Sequence, residues 1–341
     1  MKSGILLLAC LMILTVTTAS AQAARIPSIE KVLKDIKTME DFYPRYEGST
    51  GEKKTLQFIE SRLASLSIPY NLMNFGNAET YHSFSASIRV VLPGKKKDSI
   101  LVIVPVNQPA DGVRGQSGEV NIAAGLMLVE YFFKTDLPVT IEVIFLGAEY
   151  GRGDNYPLGT RLFLEQFFPD YPVFLLYLTF KNIPRRVEVK GAGEGIVAPY
   201  WLTIRTSRAL QQSGVPFLLR GNKNQLFRLG LSREKPVIEP YLSAGYPALE
   251  LTGENPFEST IEKKNWIISF ANFFSLLVEE SRDTIPDYWD RHYIFFQIRD
   301  FYLIIQEGTI ITVYLSILAL SIVFLLVYSR QLKMNLMILF K

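Results

Sequence analysis

At 341 residues, 48% of them apolar and 20% charged, the chain can bury a substantial core and is too apolar for disorder. The net charge of +3 is small and scattered, which leaves no electrostatic footprint for nucleic acid. Cys10 is the only cysteine, so disulfides, cysteine nucleophiles and thiolate metal sites are excluded from the rest of the chain.

Lys2 precedes an apolar run from Ile5 to Val16, and Ala19-Ser20-Ala21 offers a small-x-small cleavage site. Residues 1–21 therefore read as a secretory signal peptide, with an uncleaved anchor as the alternative. Cys10 would leave with it, and a cysteine-free exported domain favours a bacterial envelope. Ser49-Thr50-Gly51-Glu52 has the form of a capping box, and Leu56, Ile59, Leu63 and Leu66 repeat behind it at helical spacing. A strand is expected around Ser85–Leu92, then a turn at Pro93-Gly94 and a solvated cluster at Lys95-Lys96-Lys97-Asp98. Ser99–Val106 is nearly continuous in β-branched residues, as in a strand buried on both faces. Helices at Asn121–Phe133, Leu158–Phe168 and Tyr200–Ser213 alternate with strands at Val139–Leu146, Val173–Phe180 and Ala248–Leu251. Gly191-Ala192-Gly193-Glu194-Gly195 lacks the Lys-Ser/Thr of a phosphate cradle and reads as a flexible loop, and a helix at Asn265–Glu280 closes the domain. This alternation predicts an α/β domain over residues 25–285, its mostly parallel sheet flanked by helices.

Asp287–Phe301 is rich in Tyr, Trp and Phe. Residues 286–307 are accordingly expected to lie against a membrane surface, with an amphipathic linker helix as the alternative. Residues 308–329 carry no charge and would span about 33 Å as a helix, enough for a bilayer core of about 30 Å. Arg330, Lys333 and Lys341 in the tail 330–341 put the C-terminus in the cytoplasm. The expectation is a single-pass type I membrane protein with its domain outside the cytoplasm.

Four segments carry a resemblance. Arg45-Tyr46-Glu47-Gly48-Ser49-Thr50-Gly51-Glu52 leads into the first capped helix, and Gly147-Ala148-Glu149-Tyr150 ends a buried strand. Leu158-Gly159-Thr160-Arg161-Leu162-Phe163 opens a helix, and Gly245-Tyr246-Pro247-Ala248-Leu249 enters a late strand. In order and spacing, over roughly Arg45 to Leu277, these resemble the zinc aminopeptidases of the M28 family. That family has a zinc-exopeptidase fold with a binuclear zinc site of two His and three carboxylates. The resemblance makes Glu149 the vestige of the general base, and it implies ligands at five further positions. There this chain has Val106-Asn107-Gln108 for His-x-Asp, Asn121 for a bridging Asp, Tyr150 for Glu and Thr179 for Asp, and no His within 254–259.

Amides, a phenol and a hydroxyl do not supply the negative charge zinc requires. The chain has two His, His82 and His292, and neither stands at a ligand position. Zinc, expected for the family, is therefore not expected here. Asp111, Glu119, Glu149 and Asp154 are the carboxylates from which a rebuilt Ca²⁺ site would be made, though ordinary surface solvation accounts for them more simply. Ser117, Ser207 and Ser243 have no His for a relay. The expectation is a catalytically inactive peptidase-like domain that binds a protein or peptide partner in a cleft at the strand ends. The alternative is an active metallo-aminopeptidase with atypical ligands.

Overall fold

The β-branched run lies at the centre of an eight-stranded sheet in the computed structural model. Residues 28–339 are described, apart from 75–84, 110–111, 151–156, 194, 220–225, 228, 230, 232–235, 254, 291 and 299–300. In chain order the elements begin with α1 (Ile29–Glu40), α2 (Thr50–Ser65), β1 (Asn71–Asn74), β2 (Ala86–Leu92), β3 (Gly94–Pro105), α3 (Glu119–Phe132) and β4 (Leu137–Leu146). There follow α4 (Leu158–Gln166), β5 (Val173–Phe180), β6 (Val187–Lys190), β7 (Ala192–Gly193), β8 (Ile196–Val197) and α5 (Tyr200–Gln212). The chain continues through β9 (Phe217–Leu219), α6 (Glu239–Ser243), β10 (Ala248–Gly253) and α7 (Thr260–Glu280). It ends in a hairpin, β11 (Tyr293–Ile298) and β12 (Phe301–Gln306), and in α8 (Glu307–Leu339).

The sheet order is β1-β2-β4-β3-β5-β10-β6-β9. Its heart, β4-β3-β5-β10, is parallel, while β2 and β6 join it antiparallel. Ile100 to Val104 and Phe174 to Leu178 are almost wholly buried, as expected of strands covered on both faces. α3 is buried along nearly its whole length, and α7 brings Trp266, Phe270, Phe273 and Phe274 into a cluster that also holds Phe180. The predicted cap forms at Ser49, with the return bond from Glu52 shifted to the residue before Ser49. Ser49 Oγ accepts from Glu52 N at 3.1 Å, while Glu52 Oε2 accepts from Gly48 N at 2.7 Å.

The structure departs from the sequence expectations in three places. The lysine cluster is solvated as expected, but it belongs to a strand: β3 starts at Gly94, because its early residues pair with β4, and the exposed Lys95 pairs with Asp136 at 2.7 Å. The glycine-rich segment expected to be flexible is the β7–β8 ribbon, with Ala192 and Gly193 buried beside α6. The aromatic segment is neither a helix nor detached from the domain. Trp201 Nε1 donates to Tyr288 O at 3.1 Å, Trp289 Nε1 to Val197 O at 2.9 Å, and Tyr293 OH to Ala198 O at 2.9 Å. These polar tips find backbone carbonyls of the domain, and that is why the segment packs and then turns into a hairpin.

α8 follows without a break. Its stretch Glu307–Leu325 has a mean hydropathy of 2.3 and none of it is buried, so it is long and apolar enough to cross a membrane. The helix continues through Leu339, so the tail expected at 330–341 prolongs it rather than forming a separate extension.

Candidate functional site

The parallel strands end in a turn whose path depends on close approach. A Cβ on Gly147 would lie 2.3 Å from the Ala86 carbonyl oxygen, and one on Gly159 1.9 Å from the Gly147 carbonyl oxygen, so only glycine fits either position. Between them Ala148 takes φ +54°, a left-handed conformation that costs on the order of 1 kcal/mol. Surrounding bonds hold it there. Gly159 N donates to Ala148 O at 3.0 Å and Gly147 N to Ser87 Oγ at 3.1 Å. Behind the turn lies the buried carboxylate of Glu52, which accepts from Ser85 Oγ at 2.7 Å and is pushed above the usual carboxylate range by burial.

The turn sends its two polar residues to different places. Glu149 is 4% exposed and lies on the sealed side. Its Oε1 accepts from Thr160 N at 2.5 Å, and its Oε2 accepts from Thr160 Oγ1 at 2.9 Å and Tyr177 OH at 2.5 Å. Tyr241 OH reaches the same Thr160 hydroxyl at 3.0 Å. Burial pushes the Glu149 pKa up to about 7, outweighing these hydrogen bonds, which favour the charged form. Glu149, Thr160, Tyr177 and Tyr241 are all absent from the cleft lining.

Tyr150 faces that cleft, a cavity of about 480 Å³ walled by β3, β5, β6, β10 and the N-terminal end of α3. Burial, then the nearby Glu149 and Glu250 carboxylates, push the phenol above its ordinary range and keep it neutral. Asn107 is fully engaged: its Oδ1 accepts from Glu149 N at 3.0 Å and Tyr150 N at 3.3 Å, and its Nδ2 donates to Tyr150 O at 2.6 Å. Asn121 does the same one strand over, accepting from Phe180 N at 2.9 Å and donating to Phe180 O at 3.1 Å. Each amide is a two-way clamp between the end of one element and the end of another.

The carboxylate that does reach the cleft is Glu250, which accepts from Thr179 Oγ1 at 2.6 Å and lies 3.4 Å from Lys190 Nζ. Sequence reasoning missed this pair. Its only signal was alternation in β10, where Glu250 and Thr252 share the face opposite Leu249 and Leu251. Gln108, 1% exposed, also lines the cleft, and its Oε1 has no hydrogen-bond partner among the described residues.

Arg45 braces this wall from beneath. Its guanidinium donates to Met39 O at 3.0 Å, Ser117 O at 2.7 Å and Glu119 Oε1 at 3.2 Å, all in a buried environment. Burial lowers the Arg45 pKa, and Glu119 opposes that. Glu119 thus belongs to a structural ion pair and does not meet Glu149, while Asp111 and Asp154 lie outside the described residues. His292 is exposed and pairs with Glu307 at 2.8 Å, and His82 lies outside the described residues.

These residues do not fit a zinc ion. At the expected ligand positions Val106 offers no ligand atom, the Asn121 amide oxygen already accepts a backbone N–H, the phenol is neutral, and Thr179 is bound to Glu250. Among the described residues, no three His, Cys, Asp or Glu side chains are placed to share a metal.

The fold is similar to several solved structures. A leucine aminopeptidase precursor from Bacteroides thetaiotaomicron superposes with a TM-score of 0.51 at 15% identity, covering 75% of this chain and 98% of that one. A glutaminyl cyclase from Fimbriiglobus ruber gives 0.54 at 13% identity, with 74% and 94% covered. The LapA aminopeptidase of Legionella pneumophila gives 0.54 at 11% identity, with 76% and 73% covered. At these identities the likeness is one of fold, a mixed α/β domain of the zinc-exopeptidase kind. No curated protein matches the sequence. The family profile described as TP_0564_1st (family, first domain) matches residues 126–305, more than half of the chain and reaching from α3 into β12, and the chain belongs to that family.

Proposed function

We propose that this is a membrane-anchored peptidase-like domain outside the cytoplasm that acts by binding a protein or peptide partner in its cleft, without hydrolysis. The observation that carries this reading is the engagement of Asn107 and Asn121. Asn121, at an expected metal position, and Asn107, beside one, clamp the backbone at the ends of β5 and β4, so the cleft wall is held in shape by hydrogen bonds. Glu149 supports it from the other side. As a general base it would need to reach a water in the cleft, and it is turned into a sealed pocket of hydroxyls instead. The cleft retains polar groups for recognition: the Lys190–Glu250 pair, the Tyr150 phenol and the Gln108 oxygen, unpartnered among the described residues.

The full-length protein in detergent tests this. Bound zinc is measured, and aminopeptidase and glutaminyl cyclase activities are assayed before and after Glu149→Gln, both chosen because they occur among proteins of similar fold. The expected result is no stoichiometric zinc and no turnover in either form. Stoichiometric zinc together with activity abolished by Glu149→Gln would establish an atypical metallo-aminopeptidase or cyclase in place of the binding protein.

A further inference from the structure

The loop after β9 exposes three leucines while burying the phenylalanine between them. Phe227 is 4% exposed, whereas Leu226, Leu229 and Leu231 are 45%, 68% and 69% exposed. Leu231 N donates to Leu226 O at 2.8 Å, closing the loop on itself, and Gly195 N donates to Phe227 O at 2.9 Å, fixing it to the β7–β8 ribbon. Large exposed apolar side chains beside these two anchoring bonds mark a contact surface.

The position of this surface identifies what it contacts. Ala198, the residue just past the ribbon that holds the loop at Gly195, is three residues and at most about 10 Å further on. There Ala198 O accepts from Tyr293 OH at 2.9 Å. Tyr293 is the register partner of Gln306, the residue before α8, and Glu307 N donates to His292 O at 2.7 Å. The leucine loop and the first turn of the apolar helix therefore hang from the same short ribbon.

Charge points the same way. Between positions 220 and 235 the sequence carries Arg220, Lys223, Arg228, Arg233 and Lys235 against the single acid Glu234. Leucines flanked by basic residues suit the boundary between acyl chains and anionic headgroups.

We infer that Leu226, Leu229 and Leu231 insert into the headgroup region of an anionic phospholipid bilayer, giving the domain a second membrane contact beside α8. The inference rests on reading Glu307–Leu325 as a membrane span. Two lining residues of the cleft border the inserted loop in the chain: Lys190 stands two residues before the ribbon, and Val237 six residues after Leu231. The docked domain would thus hold its cleft close to the lipid surface.

The test uses the full chain with Cys10→Ser, reconstituted into vesicles of phosphatidylcholine and phosphatidylglycerol. An environment-sensitive fluorophore is placed at one of three introduced cysteines: Leu229→Cys in the loop, Ser316→Cys in α8, or Leu72→Cys on β1. Leu72 is also an exposed leucine (44%), but it lies at the opposite sheet edge from β9, seven strand spacings or roughly 34 Å away. Brominated phospholipids should quench the labels at 229 and 316 several-fold and leave the label at 72 unchanged. Quenching at 316 with none at 229 would overturn the docking while keeping the span. Quenching at neither would remove the span itself. A label at 229 that is shielded from water but not quenched by bromolipid would assign the loop to a protein contact and overturn the lipid assignment.

Discussion

Glu149 and Tyr150 are neighbours in sequence and occupy two different chemical environments. One is sealed among Thr160, Tyr177 and Tyr241, and the other faces a polar cleft with Glu250 and Lys190. The sealed side has a carboxylate with three hydrogen-bond donors and no access to a ligand. The cleft side has access, but its two asparagine amides are tied to backbone. The difference teaches that a motif can keep its backbone path, with its glycines and left-handed alanine, while its polar side chains take up structural duties. The path identifies the fold, and the partners of each side chain decide what it can do.

Four substitutions would break or sharpen this contrast. Arg45→Ala has the largest expected effect, because it leaves the Glu119 carboxylate buried and unpaired beneath the cleft wall. Loss of a buried partner of this kind costs about 3–5 kcal/mol, read as a lowered denaturation midpoint of the detergent-solubilised protein. An unchanged midpoint would show that the cleft wall stands without this brace.

The sealed side should next reveal itself through pH. The Glu149 pKa is about 7 when folded against an ordinary value of 4.5, so between these values the folded state holds the extra proton. Stability must then fall as pH rises through this window and level off above it, by up to about 3 kcal/mol. Glu149→Gln, which mimics the neutral acid, should flatten that slope. A wild-type profile already flat between about pH 5 and pH 8 would contradict the sealed environment.

Asn121→Asp tests the clamps, since it restores a carboxylate of the kind the M28 resemblance implies while replacing the donor to Phe180 O by an oxygen. A loss of about 1–3 kcal/mol is expected, and added zinc should not reverse it. Rescue by zinc would show that the surrounding residues still form a metal site. The smallest effect on folding belongs to Lys190→Met in the cleft. Its ion pair with Glu250 is partly exposed, so stability should change by less than about 1 kcal/mol while partner binding weakens. A binding defect from Glu149→Gln equal to that from Lys190→Met would erase the distinction between the two sides.

Much of this architecture is legible in the sequence, because buried strands and capped helices have local causes. Val173–Phe180 is an apolar run interrupted only by Thr179 and forms β5 with those bounds, and Ser49 and Glu52 announce the start of α2. The Glu149 turn was legible too, since its glycines and small residues serve a backbone path. The roles of Asn107 and Asn121 were not, because an amide clamp exists only once β4 and β5 are laid beside their neighbours. Glu250 was hidden by its apolar neighbours Leu249 and Leu251, which made β10 read as uniformly buried. The aromatic segment is ambiguous for a related reason: Trp and Tyr suit a membrane surface and a row of carbonyls equally well, and Val197, Ala198 and Tyr288 supply such carbonyls here.

The hairpin that joins the domain to α8 has a consequence for how a partner is met. A flexible tether as long as the stretch from Ile285 to Glu307 would let its ends wander by roughly 25 Å and leave the domain free to tumble. This stretch is instead pinned by Trp201, Trp289 and Tyr293 and closed by the pairing of Tyr293 with Gln306. A helix fixed in a bilayer would then fix the orientation of the cleft with it. Encounter becomes a search in two dimensions, favouring partners confined to the same membrane, whose effective concentration is set by area rather than volume.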